Sequence, residues 1–222
     1  MSEKSFIVPH DFTPVADIAL EHAIATAKPL KAEVQLVHVV SKENQIHEAN
    51  EKLASIVEKY VSSGVKIVPN VRIGNIFEDI GDFAAEFGVS LIFMGTHKYS
   101  RWQKIVGSRA IRVITSSPVP FILVQEKLMD AKGYDNIVVP LDLNVETKQK
   151  LELVAKIAHY FDSQVHLLTN DNSDEFIKTK LKANQVWASN YLESKDIKNS
   201  SHLVDQGDSL TEGIFKLSKE KA

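Results

Sequence analysis

Two glycines bracket a polar loop in this chain. Gly95 closes the short apolar run Leu91–Met94, and Gly107 stands directly before Ser108. Glycine lets a backbone approach a ligand closely and adopt positive φ. A serine that opens a helix offers its hydroxyl, free backbone N–H groups and the positive end of the helix dipole to an anion. Arg101, Lys104 and Arg109 add positive charge nearby, and Lys98 lies inside the loop. The chemistry this set could do is to hold an anion such as a phosphate chain. Each residue also has a plainer role: Gly95 permits a sharp turn, Ser108 caps a helix, and His97 and the basic residues form a solvated surface. A second group, Pro9-His10-Asp11, ends another apolar run. There Asp11 is read equally as a turn former or as a ligand contact.

Other chemistries find no residues. The chain has no cysteine, so disulfides, thiolate metal sites and cysteine nucleophiles are excluded. Its eight histidines show no HExxH spacing, and His10 and His38 alone make a poor metal site. There is no GxxxxGK[ST] loop, no Ser/His/Asp signature and no identifiable base to activate water. No catalytic or metal-ligating residue is assigned, and the chain is not read as an enzyme. The 222 residues, 44% hydrophobic and 25% charged with formal net charge −3, suit an ordinary globular protein. The mild acidity gives no reason to expect a nucleic-acid or anionic-membrane partner. MSEKSFIVPHDF is no signal peptide, and no apolar run approaches the ~20 residues of a membrane span. The cytoplasm is the expected location.

The elements that must position these groups follow from periodicity. Strands are expected at Ser5–Pro9, Val34–Val40, Lys66–Ile73, Leu91–Met94 and Phe121–Gln125. Helices are expected between them. The first starts at Pro14 with Thr13 as its cap; the second presents Ala49, Leu53, Ile56, Val57 and Tyr60; the third presents Ile76, Ile80, Phe83, Ala84 and Phe87 and is stopped by Gly88. A fourth runs from Ser108 with Ile111, Val113 and Ile114. Near-continuous apolar strands imply burial on both faces, hence a parallel sheet flanked by helices. Residues 1–128 are therefore a doubly wound α/β unit.

After a short polar linker, Met129–Asp135, the pattern begins again. Phe6-Ile7-Val8-Pro9-His10-Asp11 matches Ile137-Val138-Val139-Pro140-Leu141-Asp142, and Ala32–Val37 matches Ser163–Leu168 at the same offset. This is an internal repeat. A helix over Asp174–Glu193, a strand over Ser201–Val204 and a helix with Leu210, Ile214 and Leu217 complete residues 136–222 as a partial repeat, strands one to three only. Asp142 is read as structural. The strand Asn136–Pro140 would then lie at a sheet edge, which is expected to be covered by other protein.

These motifs together resemble the universal stress protein family in a tandem form with an incomplete second unit. The resemblance is carried by Ile7-Val8-Pro9-His10-Asp11, Leu36-Val37-His38-Val39, Phe93-Met94-Gly95-Thr96-His97, Gly107-Ser108 and Ser117–Val124. It implies a parallel five-stranded sheet of order 3-2-1-4-5 and a stress-response protein that binds or senses an adenine nucleotide, ATP with Mg²⁺. Asp11 and Val39 would lie at the adenine, and the loop from Gly95 at the ribose and phosphates. The full set so implied is Pro9, His10, Asp11, Val39, Met94, Gly95, His97, Lys98, Gly107, Ser108 and Arg109. Two features depart from the family's loop pattern: Lys98 replaces the middle glycine, and eight residues rather than nine separate it from Gly107. A lysine either partners phosphate by charge or fills the crevice. The alternative reading is a nucleotide-free member acting through protein association. Pairing of Phe121–Gln125 with its symmetry mate would then give a homodimer.

Overall fold

The computed structural model describes residues 5–96, 114, 117–129, 133–144 and 146–221, with backbone alone at 77, 78 and 146–149. The chain divides into two compact units, Met1–Met129 and Asp130–Ala222. The first contains β1 (Ser5–Pro9), α1 (Pro14–Leu30), β2 (Glu33–Val40), α2 (Ile46–Lys59), β3 (Ile67–Ile73), α3 (Ile76–Glu86), β4 (Val89–Gly95) and β5 (Phe121–Val124). Its five strands are parallel in the order β3-β2-β1-β4-β5. This is the doubly wound α/β fold expected from the sequence.

The center of the sheet is β1. Phe6, Ile7 and Val8 are buried because β2 and β4 flank this strand and helices cover both faces. On one face α1 presents Val15, Ala19, Ala23 and Ala27 to the sheet. The small side chains let the helix lie close to β1 and β4. On the other face Ile80, Phe83 and Ala84 of α3 pack with Ile7, Val37 and Ile92. Ile114 is helical and joins this cluster; the rest of the helix expected from Ser108 lies outside the described residues.

Thr13 does not cap α1 as expected. Its backbone occupies the cap position in an extended conformation, but its side chain makes no cap hydrogen bond. The Thr13 hydroxyl donates to Asp11 Oδ1 instead, as does the Thr13 backbone N–H at 3.1 Å. The local Asx turn wins this hydroxyl, and Pro14 lowers the need for a cap because it brings no N–H to satisfy. Gly88 follows α3 at φ +57, a left-handed stop.

The second unit contains β6 (Asn136–Leu141), α4 (Glu146–Phe161), β7 (Gln164–Thr169), α5 (Glu175–Glu193), β8 (Asn199–Leu203) and α6 (Leu210–Glu220). Its three strands are parallel in the order β6-β7-β8. One face is covered by Leu151, Ala155 and Ala158 of α4 with Ala188 and Leu192 of α5. The other is covered by α6, where Leu217 meets Leu168 and Val204. Among the described residues β6 is a sheet edge, as expected. The last strand begins two residues earlier than expected and ends one earlier, because Asn199, Ser200 and Ser201 pair with Val165, His166 and Leu167. Their polarity hides a strand that cross-strand pairing alone establishes. Asp174 lies just before α5 and caps it, accepting from Phe176 N and Ile177 N.

Leu36 and Leu167 hold equivalent central places in the two sheets, and both are fully buried. We expect Leu36→Ala to destabilise the first unit and Leu167→Ala the second, each by about 2–5 kcal/mol. Urea unfolding checks this; a change below about 1 kcal/mol in either would contradict the packing described.

Candidate functional site

In this sheet the chain leaves β1 toward β2 on one side and returns to β4 on the other. Ligands of open α/β sheets bind at such a switch point, outside the carboxyl ends of the strands. Pro9, His10 and Asp11 end β1, Val39 lies near the end of β2, and Met94 and Gly95 end β4. The fold therefore brings these sequence-predicted residues to one rim. His97, Lys98, Gly107, Ser108 and Arg109 lie outside the described residues.

The β1 end is held rigidly. His10 is buried; its backbone N–H donates to Val37 O at 2.8 Å. Its Nδ1 accepts from Phe12 N at 3.1 Å, which leaves Nε2–H to donate to Asp17 Oδ1 at 3.2 Å. Burial pushes the His10 pKa below the usual histidine value. The Asp17 carboxylate, and Asp11 more weakly, pull against that shift. His38 donates from Nδ1 to the His10 carbonyl at 2.6 Å. This bond ties the ends of β1 and β2 together, so His10 and His38 serve as clamps rather than as a metal pair. Among the described residues no group of three or more His, Asp or Glu is placed to hold a metal ion.

Phe12 is a residue that periodicity did not single out. It adopts φ +64, a left-handed conformation that costs a non-glycine residue about 1–2 kcal/mol. The strain is offset by contacts: its ring lies 4.2 Å from the His38 ring, and Lys52 Nζ stands 5.5 Å from its centroid. Asp11, beside it, is exposed and holds the turn through Thr13. The turn-forming role of Asp11 is thus realised.

Met94 and Gly95 have structural duties. Met94 packs in the core with Ile7, Val37 and Ile92. A Cβ at Gly95 would fall 2.5 Å from the Val15 carbonyl oxygen and 2.8 Å from its carbon, so glycine here lets the first turn of α1 press on β4. Next to it, buried Thr96 donates its backbone N–H to Val124 O at 2.7 Å and closes the ends of β4 and β5.

A cleft of about 410 Å³ opens at the carboxyl ends of β2 and β3, lined by His38, Val39, Ser41, Gln45, Gly74 and Asn75 among others. Its walls are preformed. Gln45 Oε1 accepts from Ser41 N at 3.2 Å and Lys42 N at 3.0 Å. Opposite, Gly74 N donates to Val40 O at 3.0 Å, and the Asp79 carboxylate accepts from Asn75 N at 2.7 Å. Gly74 has φ +151, and a side chain there would collide with that carboxylate. The Gly74-Asn75 turn was legible in sequence as a helix start. Its role as a cleft wall was not.

The model of the Universal stress protein family matches residues 3–125. The chain belongs to the universal stress protein family. A universal stress protein of Methanocaldococcus jannaschii is 29% identical over an alignment spanning 56% of this chain and 96% of that protein. A crystal structure of a universal stress protein from Archaeoglobus fulgidus DSM 4304 covers 99% of this chain and 84% of its own, at TM-score 0.77 and 16% identity, a likeness of fold alone. A universal stress protein from Archaeoglobus fulgidus in complex with dAMP is 25% identical over 56% of this chain and 99% of its own, at TM-score 0.47. The family match covers β1 to β5 of this universal stress protein and ends before the second unit.

Two outcomes follow for the rim of this universal stress protein. Gly95→Ala should cost about 1–3 kcal/mol by overpacking against Val15, read as a lowered urea midpoint; an unchanged midpoint would show that α1 does not press on β4. Asp17→Asn should lower the His10 titration midpoint further, because it removes the strongest upward pull on that imidazole. An NMR titration of the His10 ring checks the direction, and a rise would contradict the pairing.

Proposed function

We propose that the first unit holds an adenine nucleotide, ATP with Mg²⁺, at the carboxyl ends of β1, β2 and β4, and that the protein binds or senses it without turnover. The observation that supports this reading is that Pro9, Val39 and Gly95 come together at the rim around the β1/β4 switch point, where ligands of such sheets bind, with a cleft of about 410 Å³ adjoining it at Val39, between the ends of β2 and β3. Its size suits a small ligand. Val39 would give a base an apolar floor beside this cleft. Lys98 would partner phosphate by charge where the family pattern has a glycine. Gly107, Ser108 and Arg109 would supply the anion-binding helix start. The cytoplasm is the compartment that suits this function.

A second reading is favoured by a different observation. Met94 and Gly95 are already used in packing, so their presence needs no ligand. In that reading the protein is nucleotide-free and acts by association, as a homodimer through β5. That strand is a sheet edge among the described residues and exposes Leu123. The second unit, whose β6-β7-β8 order follows that of β1, β2 and β3, is read here as a tandem partial repeat of the first.

Calorimetric titration with ATP and Mg²⁺, beside Lys98→Gly, separates the two. Saturable heat from the wild-type protein supports the nucleotide reading with lysine as phosphate partner. Heat from Lys98→Gly alone would mean that Lys98 closes the site. No heat from either, with a dimer in sedimentation, would favour association.

A further inference from the structure

The first unit's rim leaves unexplained a polar cluster in the second. His166 on β7, Ser200 and His202 on β8 and Asn136 on β6 meet on one face of the three-stranded sheet. His166 is only 5% exposed. One of its ring nitrogens meets the Asn136 side chain, and the other faces a second imidazole.

The protons in this cluster can be counted. Asn136 Nδ2 donates to the Lys221 carbonyl at 2.8 Å, so its Oδ1 is free to accept, and His166 Nε2–H donates to it at 2.9 Å. That fixes the His166 tautomer and leaves Nδ1 bare. Nδ1 lies 3.0 Å from Ser200 Oγ and 3.1 Å from His202 Nε2, and those two atoms are 2.9 Å apart. One hydroxyl proton and one proton on His202 Nε2 satisfy all three atoms. While His202 carries its proton on Nε2, a further proton on His166 Nδ1 sets N–H against N–H across 3.1 Å.

The same cluster anchors α6. Asn136 joins His166 to the carbonyl of Lys221, the residue that ends this helix. The helix has 11 residues, too few to be stable alone. It is held to the sheet by Leu217 against Leu168 and Val204, with half-buried Leu210 and Ile214 packed beside them and Gly213 close against Val204. Its own start is well made, with Ser209 and Glu212 forming a capping box, so its last turn is where release would begin.

We propose that the His166–His202 pair is an acid-responsive latch that keeps α6 on the second sheet while His166 is neutral and releases it when a further proton enters the pair. The charged groups facing it come from α6: Glu220 and Lys221, themselves paired at 2.7 Å. Lys221 opposes the added charge and Glu220 favours it. From α5 the neutral Gln185 donates to the His202 carbonyl, and β6 contributes the neutral Asn136. Farther along α6, Lys216 is engaged by Asp205 and Asp208. Burial first, then His202 and Lys221, hold the His166 pKa below the usual value. The folded form therefore binds protons less readily than the unfolded chain. The stability this confers is complete above the ordinary histidine range near ~6.5. It is lost as pH falls through the lower folded value.

Amide hydrogen exchange of the whole chain, corrected for intrinsic rates between pH 8 and pH 5, tests the latch. Protection of Leu210–Glu220 should be constant near pH 8 and fall about tenfold per pH unit for each proton taken up on release, while Glu175–Glu193 stays protected. In His202→Gln the fall should be smaller, because burial still disfavours the His166 charge but the facing imidazole is gone. NMR of the His166 ring should place its protonation at the lower end of the pH range over which α6 protection declines. Flat α6 protection in the wild type, an equal fall in His202→Gln, parallel loss in α5, or a His166 titration separate from α6 release would each overturn the proposal. The NMR comparison in the wild-type protein decides the matter even if the variant folds poorly.

Discussion

The central constraint in this protein is that β1 has no exposed side. It is hydrogen-bonded in parallel to β2 on one edge and to β4 on the other, and Phe6, Ile7 and Val8 are buried. A parallel strand in this position requires crossovers on both of its edges, with helices on both faces. The turn that leaves β1 must then pass over the rim where β2 and β4 also end. Pro9, His10 and Asp11 are brought to Val39 and Gly95 because β1 is central.

The rim is dense with contacts that stabilise the fold. The His10 imidazole holds the Phe12 N–H and Asp17, and its carbonyl holds His38. Gly95 lets α1 sit against β4, and Thr96 ties β4 to β5. The open volume lies one strand over, between β2 and β3, where Gln45 and Asp79 satisfy the turn backbones and keep the walls apart. Tight packing and open volume are thus divided between neighbouring parts of the same rim. A polypeptide that packs the first part tightly can still present a cleft in the second.

The second unit shows what the same strand order does with fewer strands. Its sheet buries Val165 and Leu167 on one face against two helices and Leu168 on the other against one. The larger cluster gives α4 and α5 a firm seat, whereas α6 rests on a smaller one, Leu217 with Leu168 and Val204 beside half-buried Leu210 and Ile214, and on the Asn136 bridge. An element held by so little is the place where a single buried imidazole can matter, since its protonation changes a local balance rather than a global one.

The sequence by itself determined the alternation of strands and helices, the two-unit division and the presence of Pro9, Val39 and Gly95 at the strand ends. These depend on apolar periodicity and on turn residues, which act over a few neighbours in the chain. It also carried the offset between Phe6–Asp11 and Ile137–Asp142. Tertiary structure alone decided which role each rim residue takes. Asp11 has a turn to hold, because Thr13 lies close enough to donate to its Oδ1. Gly95 reads as a loop glycine until Val15 is found against it. The polar run Asn199–Ser201 becomes a strand only when β7 supplies its hydrogen bonds. His166 and His202, 36 residues apart, become a pair only because β7 and β8 are adjacent in register. Contacts between distant residues have no local signature in the chain, so the geometry of the sheet had to assign them.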